Sequence, residues 1–313
     1  MRKYKYIYGP VPSRRLGWSL GLDIIPLKTC SQNCRYCQLG MNSDVTVQRQ
    51  EYVDVSLVLK ELERKLAEDV KIDRITISGS GEPTLNSGIG RLITGIKAMT
   101  DIPMVVITNG TLLWDPQVRK ELLAADTVMP SLDAVDQATF EMVNQPHKSI
   151  TFEKHLEGLI KFRQEYSGQY WLEVFLLEGL NTSDQQIEAF AEHISRINPD
   201  RVQLNTAVRP VTDPAAKTVP QEKMNEIAKR LGGKAEVIAA FSKQNAGQSH
   251  YTSRSDVLET LKRRPCTIEG LSKSLDVNAS VISKIISSLS EEKLITAEQR
   301  EEGIFYKFKL PGD

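Results

Sequence analysis

Short apolar runs rich in β-branched residues recur through the first 240 positions, at 21–25, 74–78, 104–108, 127–131, 171–177 and 201–205, with a weaker one at 235–239. They are continuous rather than alternating, which predicts strands covered on both faces. Between them lie segments with helical spacing. In 55–69, Leu57, Leu59, Leu62 and Leu66 recur along one face, and 88–99, 116–124, 150–166, 183–197 and 221–231 follow the same rhythm. Strand then helix, six times over, predicts a parallel sheet with right-handed crossovers. A closed eight-fold barrel needs about 250 residues. Six units ending at position 231 therefore predict an α/β fold of the open kind, a partial (β/α)6 TIM-like barrel.

The pattern changes after position 243. Residues 244–254 are polar and aperiodic and read as a linker, so the expected organisation is a barrel over 1–243 and a small domain over 255–313. Helices are predicted at 256–264, stopped by Pro265, at 267–275 with Thr267 as N-cap, and at 278–293 with Val281, Ile282, Ile285, Ile286 and Leu289 on one face. Strands at 294–298 and 304–309 complete a winged helix-turn-helix pattern. A winged helix that grips duplex DNA presents a basic helix and wing. Here 255–313 carry nine Lys and Arg against ten Asp and Glu, the third helix offers only Lys284 and Lys293, and the wing turn is acidic. Tight DNA binding is not expected. A protein-docking or substrate-presenting role is the favoured reading, with nucleic acid as the alternative.

Forty Lys and Arg balance forty Asp and Glu, which excludes global electrostatic capture of nucleic acid or of an anionic membrane. No apolar stretch is long enough to span a bilayer. The N-terminal twenty residues carry Arg2, Lys3, Lys5, Arg14 and Arg15 and no acid, but no apolar segment with a cleavage site follows. A cytoplasmic protein is expected.

Three of the four cysteines, Cys30, Cys34 and Cys37, fall within eight residues just after the first predicted strand, and Cys266 stands far away in the second domain as an expected buried thiol. Three clustered cysteines cannot all pair among themselves, so a metal site is the better reading. Three thiolates on one loop suit one face of a four-iron, four-sulfur cube whose fourth iron stays open. Structural zinc, which wants four ligands, and a closed electron-transfer cluster are the competing readings.

The Cys-x3-Cys-x2-Cys loop, with Tyr36 before its last cysteine, resembles the signature of the radical S-adenosylmethionine (SAM) superfamily. Gly79-Ser80-Gly81-Glu82-Pro83 resembles its Gly-Gly-Glu-Pro motif, with Ser80-Gly81 at the two glycines. The resemblance covers residues 15–240. It implies that Cys30, Cys34 and Cys37 bind a 4Fe-4S cluster and are the catalytic centre. The open iron would chelate SAM, and one electron would cleave it to methionine and a 5′-deoxyadenosyl radical that abstracts hydrogen from a substrate. It further implies SAM contacts from Tyr36, Gly81 and Glu82, and an electron donor such as a flavodoxin or ferredoxin. Segment 8–17, with its two prolines, is expected as an ordered turn before the first strand. Together with DIIPLKTC and CQLG it resembles the subgroup related to wyosine tRNA synthase, whose second cluster needs cysteines this chain lacks.

Ligand sites of such barrels lie at the C-terminal ends of strands. Asn109 after the third strand and Ser131 and Asp133 after the fourth are candidates for the ribose or methionyl carboxylate, with helix capping as the alternative. Glu178 and Asn181 follow the fifth strand, where the resemblance implies nucleoside contacts. Asn205 and Arg209, at and past the sixth, are candidate substrate contacts; a surface arginine is the alternative for Arg209. Arg14 and Arg15 are read as phosphate-holding, as capping the barrel bottom, or as a solvated pair. The substrate class stays open between a tRNA base, a protein and a small molecule. A glycyl-radical-installing activase and an iron–sulfur redox-sensing winged-helix regulator are the alternative functions.

Overall fold

The computed structural model describes residues 4–13, 15–37, 39, 45–208, 213, 215–238, 254–275, 277, 279–300 and 303–309. Eight strands form one open sheet in sequence order: β1 (Ile7–Ser13), β2 (Gly17–Leu22), β3 (Arg74–Ile77), β4 (Met104–Ile107), β5 (Thr127–Met129), β6 (Gln169–Leu176), β7 (Arg201–Thr206) and β8 (Ala235–Val237). β1 pairs antiparallel with β2, and every later neighbour is parallel. The crossovers carry α1 (Val55–Leu66), α2 (Ile89–Met99), α3 (Pro116–Leu122), α4 (Gln137–Val143), α5 (Phe152–Glu165), α6 (Asp184–Ile197) and α7 (Gln221–Leu231).

Because the strands follow in order, right-handed crossovers put all helices on one face. β6 makes this visible. Tyr170, Leu172, Val174 and Leu176 are fully buried in the main core with Leu62 of α1, Phe162 of α5 and Phe190 of α6. The alternate residues Trp171, Glu173 and Phe175 point to the other, concave face. Each buried aliphatic or aromatic side chain contributes about 1.5–3 kcal/mol, so this core between sheet and helices is a main source of the fold's stability.

The concave face is polar where a packed barrel would be apolar. Ser19 and Thr76 share a 2.7 Å hydrogen bond across β2 and β3. Arg15 enters from the N-terminal edge and pairs with Glu173 of β6 while donating to Gln203 of β7 at 3.2 Å. Leu16 packs beside it on Val105 and Met129. Of the readings for Arg15, the structure selects the cap on the barrel floor; Arg14 lies outside the described residues.

Two expectations change. The strand expected at 21–25 is β2, Gly17–Leu22: Ile24 and Ile25 are buried, but in the loop beyond the sheet, and burial alone does not distinguish the two. Segment 8–17, expected as a turn, is mostly strand β1. Its prolines are tolerated because β1 is an edge strand with a register shift between Tyr8 and Val11. α4 has no counterpart in the sequence reading; it is two turns long, capped by Asp136, and too short to show a period.

Towards the C-terminus lie α8 (Arg254–Arg263), α9 (Ile268–Leu275), α10 (Ala279–Glu291) and the antiparallel pair β9 (Ile295–Arg300) and β10 (Gly303–Phe308). A second core of Val257, Leu261, Cys266, Leu271, Ile282, Ile286, Leu289 and Ile295 lies among them, with Val11 of β1 packed against it. Among the described residues, no helix is long and apolar enough to cross a membrane.

Candidate functional site

The loops at the C-terminal ends of β2 to β6 interlock around the three clustered cysteines. The loop after β2 runs from Asp23 to Cys37. Gly81 presses on its backbone: a Cβ there would lie 2.0 Å from the carbonyl oxygen of Thr29, so only glycine allows this approach. Glu82 N–H donates to the same Thr29 oxygen at 3.0 Å, and Lys28 N–H donates to Ser80 at 2.6 Å. The turn after β3 is thereby stitched to the residues that lead into Cys30.

Glu82 is buried and anchors the next loop. Its Oε1 accepts from the Thr84 amide and hydroxyl and from the Thr108 hydroxyl, and its Oε2 accepts from the Asn109 amide at 2.7 Å. Burial raises its carboxyl above the usual range while these hydrogen bonds pull it down. Asn109 then turns back to the cysteines. Its Nδ2 donates to Cys30 Sγ at 3.5 Å and to Ser31 Oγ at 3.0 Å, while its Oδ1 caps Thr111.

A second set forms on the other side. Tyr36 donates its hydroxyl to Asp133 Oδ2 and stacks on Phe175, with ring centroids 3.9 Å apart. Asp133 also accepts from Asn144 Nδ2 at 2.9 Å and from Phe175 N–H at 2.8 Å. Burial lifts its carboxyl to about 6 against these hydrogen bonds. Asn144 donates in addition to Cys34 Sγ at 3.6 Å, and its Oδ1 is buried with no hydrogen-bond partner. The segment after α4 straps the cysteine loop from outside, with Asn33 and Arg35 amides donating to carbonyls at 143–145.

The remaining candidates divide. Ser131 bridges to Glu173, and its carbonyl accepts from His155, whose imidazole burial holds neutral with a pKa of about 4. Asn205 pairs with Phe175 in register, which puts it on the concave face beside the Tyr36 stack. Glu178 is ion-paired to Lys223 at 3.0 Å, and its Oε2 is buried without a hydrogen-bond partner. Asn181 Oδ1 accepts from Leu177 N–H and its Nδ2 donates to the carbonyls of Asp133 and Phe175, so its amide braces the loops. Arg209 lies outside the described residues. Sequence reasoning missed Asn144, Ser31 and Phe175. Asn144 stands 110 positions from Cys34, and no local signal ties the two.

A family model described as the Radical SAM superfamily matches residues 24–194, more than half of the chain. The chain belongs to the radical SAM superfamily. It is 32% identical to a UPF0026 protein of Methanocaldococcus jannaschii over 311 residues, 96% of this chain and 94% of that protein. It is 40% identical over 299 residues to a Brachyspira hyodysenteriae protein named GTPase Obg, covering 95% of this chain but only 44% of that longer protein. Among solved structures, a radical SAM methyltransferase from Sphaerobacter thermophilus shares the fold at a TM-score of 0.54 and 18% identity, covering 72% of this chain and 67% of that one. SuiB of Streptococcus suis, bound to its precursor peptide, does so at 0.52 and 16%, covering 78% and 56%.

Radical SAM proteins use a 4Fe-4S cluster and SAM, and the donor set here fits. Cys30, Cys34 and Cys37 stand on one loop and form no disulfide. Burial, with neighbouring carboxylates and thiols, pushes Cys30 up to about 12 and Cys34 well above its ordinary value. A cationic metal core supplies the positive charge that would make thiolates of them. Two amide N–H groups, from Asn109 and Asn144, already point at two of the sulfurs, as the sulfurs of iron–sulfur sites require. Among the described residues no three His, Cys, Asp or Glu side chains converge as the ligands of one ion would. A cube needs no such convergence, because each iron takes its own thiolate.

Proposed function

We propose that this chain is a radical SAM enzyme whose cluster is held by Cys30, Cys34 and Cys37. The observation that carries the reading is one loop of three cysteines outside any disulfide, two of them receiving side-chain amide N–H groups, at the C-terminal edge of a parallel sheet. When bound, the cluster supplies the electron that reductively cleaves SAM to methionine and a 5′-deoxyadenosyl radical. The chain's own residues orient and shield. Gly81 and the Glu82 loop present backbone and carboxylate to the methionyl end. Asn109 and Ser131 offer short polar groups to the methionyl carboxylate or ribose, and Tyr36, held by Asp133 and Phe175, offers its flank to the nucleoside. Glu178 serves the same end of the site with its unpartnered Oε2, and Asn181 braces the loop. Asn205 and Arg209 are assigned to substrate on the concave side.

The division into a barrel over 1–243, a linker over 244–254 and a winged-helix domain over 255–313 is part of the proposal. Three helices, a hairpin and a separate core support it. A near-neutral surface favours a macromolecular partner held by docking rather than by phosphate contacts. A flavodoxin- or ferredoxin-type donor and a cytoplasmic setting complete the reading.

The test is anaerobic reconstitution, then reduction with SAM present. The wild type should release 5′-deoxyadenosine, and Cys34→Ala should release at least a hundredfold less. No release from wild-type protein carrying a full cluster would overturn the proposal.

A further inference from the structure

The C-terminal unit reaches the rim of the site through Arg263, the last residue of α8. Its side chain is only 17% exposed. The guanidinium lies 3.5 Å from the centroid of the Tyr8 ring and 3.8 Å from Asp23 Oδ2. Nη1 donates to the Glu259 carbonyl at 2.9 Å, whereas Nε is buried with no hydrogen-bond partner.

Both groups under Arg263 hold the turn after β3. The Tyr8 hydroxyl and Ser78 Oγ share a hydrogen bond of 2.9 Å. Asp23 Oδ2 accepts from Ser80 Oγ at 2.6 Å and its Oδ1 from the Ser80 amide at 3.2 Å. The carboxylate fills the space beside Gly79, where a Cβ would come within 2.2 Å of Oδ1. Ser80 is bonded in turn to Lys28, and Glu82 to Thr29, at the entry of the cysteine loop. One guanidinium therefore touches both clamps on 78–80. It also balances the charge of a carboxylate only 14% exposed. Val11, packed into the second core, holds the same unit to β1.

We propose that Arg263 is a positioning residue for SAM: through Tyr8 and Asp23 it fixes the turn at 78–82 against the cysteine loop, so that the C-terminal unit completes the cofactor site. This rests on the proposed function above. A residue that only glues the two units together would leave the turn and SAM affinity alone.

The test uses the full-length protein. In the reconstituted enzyme, Arg263→Ala should raise the KM for SAM about tenfold while kcat for 5′-deoxyadenosine release stays within about twofold, because an interaction with the bound cofactor's site is lost and the chemistry is untouched. Arg263→Lys should recover part of that affinity, since it keeps the charge but not the planar stack. Asp23→Asn should mimic Arg263→Ala, and the double variant should be no worse than Asp23→Asn alone. In the protein without cluster, hydrogen exchange at 79–82 should quicken about tenfold in Arg263→Ala, with α6 unchanged. An unchanged KM, or faster exchange confined to 254–308, would overturn the inference. Should Arg263→Ala not fold, Arg263→Lys and Asp23→Asn decide it by the same readouts. If wild-type protein with a full cluster releases no nucleoside, the proposed function fails instead, and the exchange at 79–82 still judges Arg263.

Discussion

Asp133 shows how one residue's burial becomes a measurable property. Its carboxyl is held near 6, above the ordinary carboxylate value of about 3.9, because desolvation outweighs the hydrogen bonds from Tyr36, Asn144 and Phe175. Between those two values the folded protein binds more protons than the unfolded chain. The group therefore adds stability at acid pH that is lost as pH rises through about 6. Asp133→Asn removes that dependence. Its unfolding free energy relative to wild type should move in the variant's favour by about 2 kcal/mol between pH 4 and pH 7.5, read by denaturant unfolding of cluster-free protein. Asn144 makes a different claim. Its amide reaches Cys34 Sγ, Tyr36 and Asp133 at once. Asn144→Leu should shift the midpoint potential of the reconstituted cluster to a lower value, since an N–H donor to a cluster sulfur stabilises the reduced, more negative state. An unchanged potential in electrochemical titration would remove Asn144 from the cluster's surroundings.

At the scale of elements, the site is a set of strand-end loops that are tied to one another rather than to their own strands. Gly81 sits on Thr29, Glu82 on Thr108 and Asn109, Asp133 on Tyr36 and Phe175, and Asn181 on the loop of Asp133. β2, β3 and β4 end within one residue of register, so the loops that follow them meet at one edge of the sheet. A side chain at Gly81 must displace the backbone that leads to Cys30. Gly81→Ala should cost about 1–3 kcal/mol and lower the iron bound per chain, whereas alanine at the open Gly233 should leave iron content unchanged. The Cys-x3-Cys-x2-Cys spacing and the Gly-Glu-Pro turn were legible because each is local. Asn144, and the consumption of Asn181 by backbone, were not, because both arise from contacts between loops far apart in sequence.

The two largest apolar cores among the described residues meet at β1, through Ile7 and Val11. Ile286, 3% exposed in the second core, should cost about 2–4 kcal/mol when cut to alanine. Since Val11 and Arg263 tie that core to the sheet, hydrogen exchange should also quicken in β1 and β2; protection lost only at 254–308 would mean the two units open independently. The periodic apolar pattern by itself determined the order of strands β2 to β8 and of the crossover helices other than α4, the parallel sheet and the position of the cysteine loop, because each follows from residues within one helix turn or one strand of each other. Where the first strand starts, why two prolines sit in β1, that Arg15 caps a polar barrel floor, and that a residue of the C-terminal unit touches the rim of the site were decided only by tertiary packing. Those features depend on which surfaces meet after the chain has closed on itself, and no local run of residues encodes that meeting.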